Sequence, residues 1–314
     1  MTSHGQRGER RVNSELERTI YDADPVFFRQ KDMDMTQTCM CWGIECGDGW
    51  FEPILEFVKK VRILNDCLST MNMCVVASQI KSKWAEFTCY WNMDVLDEGK
   101  NVELSESQQA TIDLSSSIMD DIVRGCREKC AHTCEICGKH SMNNDDVYAC
   151  GSWLTVKCLD CAQKKQREDG KITNFRDGFR FLSPFAEEPI VVDGSCFHTV
   201  IGAYYAVLHP EWHDVFVEMK SPSEVQNVAM NKGLCRDDDE AFNAMEKVLR
   251  IRYADGKQRE RLLSTKGLGI VQSNHHHENK WGACMCASCE GKGENRYGRL
   301  LMKIRDEIIV EEEK

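Results

Sequence analysis

No stretch of this 314-residue chain approaches the roughly 18 consecutive apolar residues that a membrane-spanning helix needs, so a helical membrane protein is not expected. An apolar targeting core is also missing from the N-terminal stretch MTSHGQRGERRVNSELERT, which is polar and basic, so no signal peptide is expected and the cytoplasm is the expected compartment. Positive charge is in short supply: 40 Lys and Arg against 51 Asp and Glu leave a formal net charge of −11. That balance argues against broad electrostatic binding to nucleic acid, which takes clustered Lys and Arg, and leaves open a local basic patch. The acidic runs at Asp237–Glu240 and in the terminal IVEEEK read as solvated helix surface. With 42 % hydrophobic and 29 % charged residues, the composition is that of a globular protein, far from a disordered one, and the length suggests two domains with a small insert.

What the chain has in abundance is cysteine, eighteen in all. In a long chain without a secretory leader, with several cysteines in C-x₂-C pairs, thiols and metal ligation are favoured over a disulfide framework. Two such pairs stand in HTCEICGKHSMNNDDVYACGSWLTVKCLDCAQ: Cys134 with Cys137, and Cys158 with Cys161. Zinc is tetrahedral and prefers thiolates, and two C-x₂-C turns complete its shell without an open position. The expectation is therefore one tightly held structural zinc in a ribbon spanning residues 129–165. Cys130 and His140 lie close enough to be alternative ligands, and Cys150 reads as a packed thiol.

The fold class expected is α+β: a small mixed α/β N-terminal unit with the zinc ribbon, followed by a mostly helical domain. Residues 1–34 read as a flexible arm. Over 35–128, TQTCMCWGIECGDGW runs from a strand-like segment through the turn Gly47–Gly49 into an amphipathic helix, with Ile54, Leu55, Val58, Val61, Ile63 and Leu64 inward. MCVVASQIKSKWAEFTCYWN supplies two strands, DEGKN a turn, and ESQQATIDLSSSIMDDIVRGCREK a second helix with Ile112, Ile118 and Ile122 on its apolar side. After the polar connector QKKQREDGKITN, a last domain spans 177–314. It opens with IVVDG, turning at Asp193-Gly194, and a helix carrying Val200, Tyr204, Val207 and Leu208. A capping box at Ser221 and Glu224 starts another helix, DDEAFNAMEKVLRIRYADG continues the series, and GRLLMKIRDEIIV buries Leu300, Leu301, Ile304 and Ile308.

The ordered set FLSPF (181–185), VVDG (191–194), FHTV (197–200), AYYA (203–206), RLLSTKG (261–267), NHHHENKWG (274–282) and GENRYGRLLMKIR (293–305) resembles the NADAR, or YbiA-like, family over about residues 177–310. Upstream, CWGIECGDGWF followed by CEICG resembles small domains of unknown role in bacterial and phage proteins, over roughly 36–162. The first resemblance implies a pocket for a ribosyl nucleotide. It also implies either an N-glycosidase acting on phosphorylated riboflavin-pathway intermediates or a hydrolase that removes ADP-ribose from nucleobases, including guanine in DNA. Both reactions break a C1′–N bond through a ribosyl cation and need a carboxylate or nucleophile beside the anomeric carbon.

Carried over residue by residue, the family pattern departs from this chain at two positions. The Glu that follows the Thr-Val pair is replaced by Ile201, and the later Lys position is Leu208. Within NHHHENKWG, Asn274 matches, His276 stands at a Trp position, Glu278 at an Asp position, and Trp281-Gly282 matches in full; Asn295, Gly298 and Arg299 match downstream. The resemblance thus implies Glu278 as the catalytic carboxylate. It implies substrate binding by Phe181, Ser183, Phe185, Tyr204, Asn274, His276, Trp281, Gly282, Asn295, Gly298 and Arg299, with Arg299 clamping a phosphate and Trp281 stacking on base or ribose. Asp214 or Glu211 could supply the lost carboxylate, and Lys220 or Lys280 an amine. The trailing C-x-C-x₂-C, with His275 or His277, leaves open a second metal site; the other reading is a loop insertion around the pocket motif.

The expected function is cleavage of an N-ribosyl bond in an ADP-ribosylated nucleobase or a phosphoribosyl nucleotide. One alternative is a non-catalytic module that binds ADP-ribose or NAD, and another is an interaction protein using the ribbon. Expected partners are an ADP-ribose-like or phosphoribosyl ligand, with ADP-ribosylated DNA open and no membrane. If the chain is phage-encoded, the compartment is the host cytoplasm.

Overall fold

The computed structural model describes residues 11–96, 106–144, 146–150, 154–254 and 256–314, so the expected turn DEGKN and the first ten residues of the expected arm lie outside the described residues. The chain forms two compact units, Met1–Ala162 and Gln163–Lys314, of mixed α and β content. Among the described residues, no helix is long and apolar enough to cross a membrane.

In the first unit, the described part of the expected arm is packed. Asn13 caps helix α1 (Ser14–Ala23), its side chain accepting the N–H groups of Glu15 and Leu16, both at 3.1 Å. Ile20, Phe27 and Phe28 are buried. These few apolar residues are scattered among charges, so periodicity alone understates them. Strand β1 (Ile44–Glu45) runs parallel to β2 (Met73–Lys83), which pairs antiparallel with β3 (Glu86–Val95) through the two-residue turn Trp84-Ala85, both residues left-handed. Helix α2 (Phe51–Ser69) packs on this sheet through Ile54, Phe57, Val58, Val61, Leu64 and Leu68. Ile63, expected inward, is exposed, because it falls on the opposite side of the helix from Val61 and Leu64. Asn65 ties this helix to the sheet: its amide oxygen accepts from Val75 N at 2.7 Å and its amide nitrogen donates to Val75 O and to Asp24.

Helix α3 (Glu106–Ala131) buries Ser115, Met119, Val123, Cys126 and Cys130. The stripe is therefore one position away from the expected Ile112, Ile118 and Ile122: Ile118 is exposed, and Ile112 and Ile122 flank the core half-buried. Spacings of four, four, three and four keep one face to the core, and a methionine and thiols occupy it where isoleucines were expected. The unit closes with the hairpin β4 (Val147–Cys150) and β5 (Thr155–Cys158), and the chain then enters α4 (Leu159–Glu168).

In the second unit, β6 (Lys171–Ile172) precedes the hairpin β7 (Ile190–Val192) and β8 (Ser195–Phe197), which turns at Asp193-Gly194 as expected; both turn residues have positive φ, 50° and 84°. Helix α5 (Val200–Leu208), capped by Thr199, is buried at every position except Val207. A helix apolar all round belongs in a core, and the others are arranged about it. These are α6 (His213–Glu218), α7 (Pro222–Asn231) with its capping box of Ser221 and Glu224, α8 (Asp239–Arg252) and α9 (Gly256–Leu263). Strand β9 (Gly269–Ile270) lies parallel to β6, and β10 (Ser273–Asn274) lies parallel to β11 (Ala283–Cys284). The last helix, α10 (Arg296–Glu312), buries Leu300, Leu301, Ile304 and Ile308 as its spacing indicated. Buried hydroxyls hold the entry segment, with Tyr253 donating to Phe181 O at 2.9 Å and Tyr297 to Leu182 O at 2.8 Å.

The glycine turn before α2 is a close-approach site within the first unit. Gly49 N donates to Glu135 O at 2.9 Å, and a Cβ on Gly49 would stand 2.1 Å from Cys134 O and 2.5 Å from Gly138 N. Gly49→Ala is therefore expected to lower stability by about 1–3 kcal/mol through overpacking. Gly125→Ala, in the middle of α3 with nothing near the added carbon, is expected to raise it by roughly 0.5–1 kcal/mol. Denaturant midpoints of the two variants, shifting in opposite directions, check the pair.

Candidate active site and metal-ligating clusters

In the second unit, the segment after β6, the Ser183–Phe185 turn, helix α5 and the 272–281 loop enclose a cavity of about 1250 Å³, ample for a nucleotide. Part of the lining is aromatic. Tyr204 meets Trp281 edge-on with centroids 6.0 Å apart, Trp281 stacks on Phe242 at 6.5 Å, and Phe175, Phe185 and Tyr297 add further apolar lining. Polar lining comes from Arg176, Gln226, Arg236, Asp237, Asn274 and His276, among others. Burial pushes the Tyr204 and Tyr205 phenols well above their ordinary range, so both stay neutral donors; Tyr205 also contacts Cys235 Sγ at 3.4 Å.

Of the residues named by resemblance, Ser183, Phe185, Tyr204, Asn274, His276, Glu278 and Trp281 line this cavity, while Phe181, Gly282, Asn295, Gly298 and Arg299 do not. Asn295 serves the scaffold. In a left-handed conformation at φ 50°, its side chain accepts from Gln272 N at 3.0 Å and donates to Ile270 O at 2.8 Å. Gly298 and Gly282 are close-approach positions, where an added Cβ would stand 2.3 Å from Ile270 O and 2.2 Å from Gln272 O. The Phe181 ring is buried against Phe179, and Arg299 is exposed on α10 away from the cavity.

The arginines that do face the cavity are Arg176 and Arg236, which no motif singled out. Arg236 is held by Asp238 and Glu240, both at 2.7 Å, and its pKa is raised chiefly by the bond to Asp238. The Arg176 guanidinium has no ion-pair partner among the described residues. The nearest sequence signal was its place beside Phe175, just after the polar connector.

Glu278 faces the cavity, but its carboxylate is engaged by its own loop. Oε1 accepts from Lys280 N at 2.9 Å and Trp281 N at 2.8 Å, and Oε2 accepts from Gly282 N at 2.7 Å. Three backbone donors on one anion describe a nest that shapes the loop. Asn274 reinforces it: its amide oxygen receives His276 N and its amide nitrogen donates to Glu278 O at 2.6 Å. Among the described residues, Asp237 is the other carboxylate lining the cavity, and its one ion pair is to Lys280 at 2.8 Å. Ile201 also lines the wall, whereas Leu208 is buried outside it. The thinner candidates lie elsewhere: Asp214 contacts His213, Glu211 contacts His209, and neither they nor Lys220 line the cavity.

In the first unit, Cys134, Cys137, Cys158 and Cys161 bring their sulfurs within 4.8 Å of one another, a group that could hold a metal ion. Cys137 and Cys158 are 3.6 Å apart, near the roughly 3.8 Å edge of a zinc–thiolate tetrahedron with bonds of about 2.3 Å. The first pair sits on a turn in which Gly138 N donates to Cys134 O at 2.9 Å. The second straddles the end of β5 and the first turn of α4. Neither alternative ligand joins them: Cys130 is buried beside Cys126, and His140 Nδ1 contacts the Thr133 hydroxyl at 3.1 Å. Cys150 is buried, as expected. None of the eighteen cysteines is in a disulfide bond. A second group, His277 with Cys284, Cys286 and Cys289, gathers to the same 4.8 Å limit in the second unit.

No family model matches the chain. Two curated proteins resemble it, both named N-glycosidase YbiA, from Shigella flexneri serotype 5b (strain 8401) and from Shigella flexneri. Each is 29 % identical over 143 residues, which cover 43 % of this chain and 85 % of the relative. Among solved structures, the NMR structure of the Escherichia coli protein YbiA is 26 % identical and covers 46 % of this chain and 86 % of its own, at a TM-score of 0.38.

Because three N–H groups converge on Glu278, its replacement is expected to register as lost stability. Glu278→Ala strands those amides and is expected to cost roughly 2–3 kcal/mol, read as a lowered thermal midpoint in ligand-free protein. An unchanged midpoint would mean that the carboxylate is not organising the loop.

Proposed function

We propose that the second unit is an N-glycosidase-like hydrolase that cleaves an N-ribosyl bond, with an ADP-ribosylated nucleobase or a phosphoribosyl nucleotide as substrate. The observation that carries this reading is one cavity lined both by the aromatic pair Tyr204 and Trp281 and by Arg176, Arg236 and Asp237, in a chain that resembles an N-glycosidase over 143 residues. Stacking on Trp281 suits a base or ribose, and a guanidinium suits a phosphate, which makes Arg176, at the cavity, the better anchor than Arg299, which does not line it. A developing ribosyl cation needs an anion with lone pairs to spare. Asp237, with one ion-pair partner among the described residues, meets that need better than Glu278, whose oxygens already accept three N–H bonds.

We further infer that the Cys134, Cys137, Cys158 and Cys161 group holds a structural zinc, since a closed four-thiolate shell stabilises a fold and leaves no position for activating water. Metal analysis of the purified chain tests this, with Cys137→Ser/Cys161→Ser expected to lose one zinc per chain. Wild-type protein without zinc would overturn it.

A second reading, a non-catalytic module that binds ADP-ribose or NAD, is favoured by two features: Ile201 stands at the cavity where the family pattern carries Glu, and the Glu278 carboxylate is committed to its loop. Incubating the full chain with ADP-ribosylated DNA and with phosphoribosyl-amine nucleotides separates the two. Release of free base or amine is expected, with Asp237→Asn slower by about 10²-fold or more. ADP-ribose binding without release of any base would establish the second reading.

A further inference from the structure

The 274–290 loop carries a ligand set that the cavity does not use. Of its three consecutive histidines, His275 and His276 line the cavity, while His277, at φ 64°, turns the other way. A left-handed backbone at a non-glycine residue is uncommon and carries a conformational cost, so something must hold it there. Its ring meets two thiols, with Nδ1 3.3 Å from Cys289 Sγ and 3.6 Å from Cys286 Sγ. Its backbone N–H points at a third, Cys284 Sγ, at 3.4 Å. An imidazole and a thiolate on one zinc ion stand about 3.6 Å apart when the bonds are about 2.0–2.1 and 2.3 Å long.

The backbone repeats the turn of the Cys134–Cys137 pair. There, the N–H four residues on, Gly138, donates to Cys134 O at 2.9 Å, and Gly138 is left-handed at φ 77°. In the loop, Glu290 N donates to Cys286 O at 2.8 Å, and Glu290 is left-handed at φ 52°. Two C-x₂-C turns of the same construction thus occur in separate units. Asn279 adds outer support, donating to Cys289 Sγ at 3.5 Å and accepting Cys284 N at 2.9 Å.

We propose that His277, Cys284, Cys286 and Cys289 bind a second zinc ion, distinct from the one in the first unit, and that this ion staples the cavity-lining loop closed. Zinc takes the place of the three thiol protons, which leave to solvent, and His277 ligates through Nδ1 with its proton on Nε2. Joining His277 to Cys284 closes a short ring of chain that contains Glu278 and Trp281, so the ion fixes the two residues that form that side of the cavity. A short ring crosslinked by metal removes freedom from the open loop. The inference concerns metal binding alone and stands whether the cavity is catalytic or not.

Zinc content and a residue-level footprint of the full chain test it. Wild-type protein is expected to hold two zinc ions per chain, and Cys286→Ser/Cys289→Ser is expected to hold one fewer while keeping the first-unit zinc. In that variant, trypsin should cut after Lys280 and Lys292 at least tenfold faster than in wild type. An unchanged zinc content in Cys286→Ser/Cys289→Ser would overturn the proposal. Should that variant fail to fold, iodoacetamide mapping of wild type decides. Cys284, Cys286 and Cys289 protected until a chelator is added would support the site, and Cys286 and Cys289 alkylated equally fast with and without chelator would overturn it.

Discussion

Three backbone N–H groups converge on the carboxylate of Glu278, and the shape of the candidate site depends on that convergence. The nest turns the chain between β10 and β11 so that Trp281 faces Tyr204 and Phe242, and it brings Gly282 against Gln272 O, where a side chain would not fit. An anion used in this way is poorly placed to serve a reaction as well, because its oxygens are already occupied by three backbone N–H groups. Asp237, which also lines the cavity, is paired with Lys280 of the same loop at 2.8 Å, and Arg176 and Arg236 complete the charged lining.

Close approach of backbone recurs as the means by which this chain positions its sites. Gly47 and Gly49 let the turn before α2 lie on the Cys134–Cys137 segment, where the Glu135 carboxylate collects Gly47 N and the Ser82 hydroxyl. In the other unit, Gly298 seats α10 on Ile270, and Asn295 bridges from the helix start to the strand segment beside it. Residues of this kind look functional when matched to a motif. The structure gives them a different task, bringing backbone together so that other side chains can line a cavity.

Much of the architecture was legible in the pattern of residues. The Asp193-Gly194 turn, the Ser221–Glu224 capping box, the inward face of α10 and the gathering of the thiols of Cys134, Cys137, Cys158 and Cys161 all appear where local rules put them, because turn chemistry, capping and C-x₂-C spacing act over a few residues. The expectations that moved were those that depend on partners distant in sequence. The α3 stripe shifted to Met119, Val123 and Cys126, and residues 11–34 found a core to pack against. Arg299 gave way to Arg176 and Arg236 at the cavity.

The sequence by itself determined the types of element, the thiol pairs and the family likeness, since each is written in the order and spacing of neighbouring residues. Only the tertiary structure decided how the 274–290 loop, NHHHENKWGACMCASCE, divides its ligands: His275 and His276 to the cavity, Glu278 to the backbone, and His277 to three cysteines. That division turns on the left-handed backbone at His277 and on which amides come within reach of one carboxylate, and these are settled by folding in three dimensions rather than by spacing along the chain.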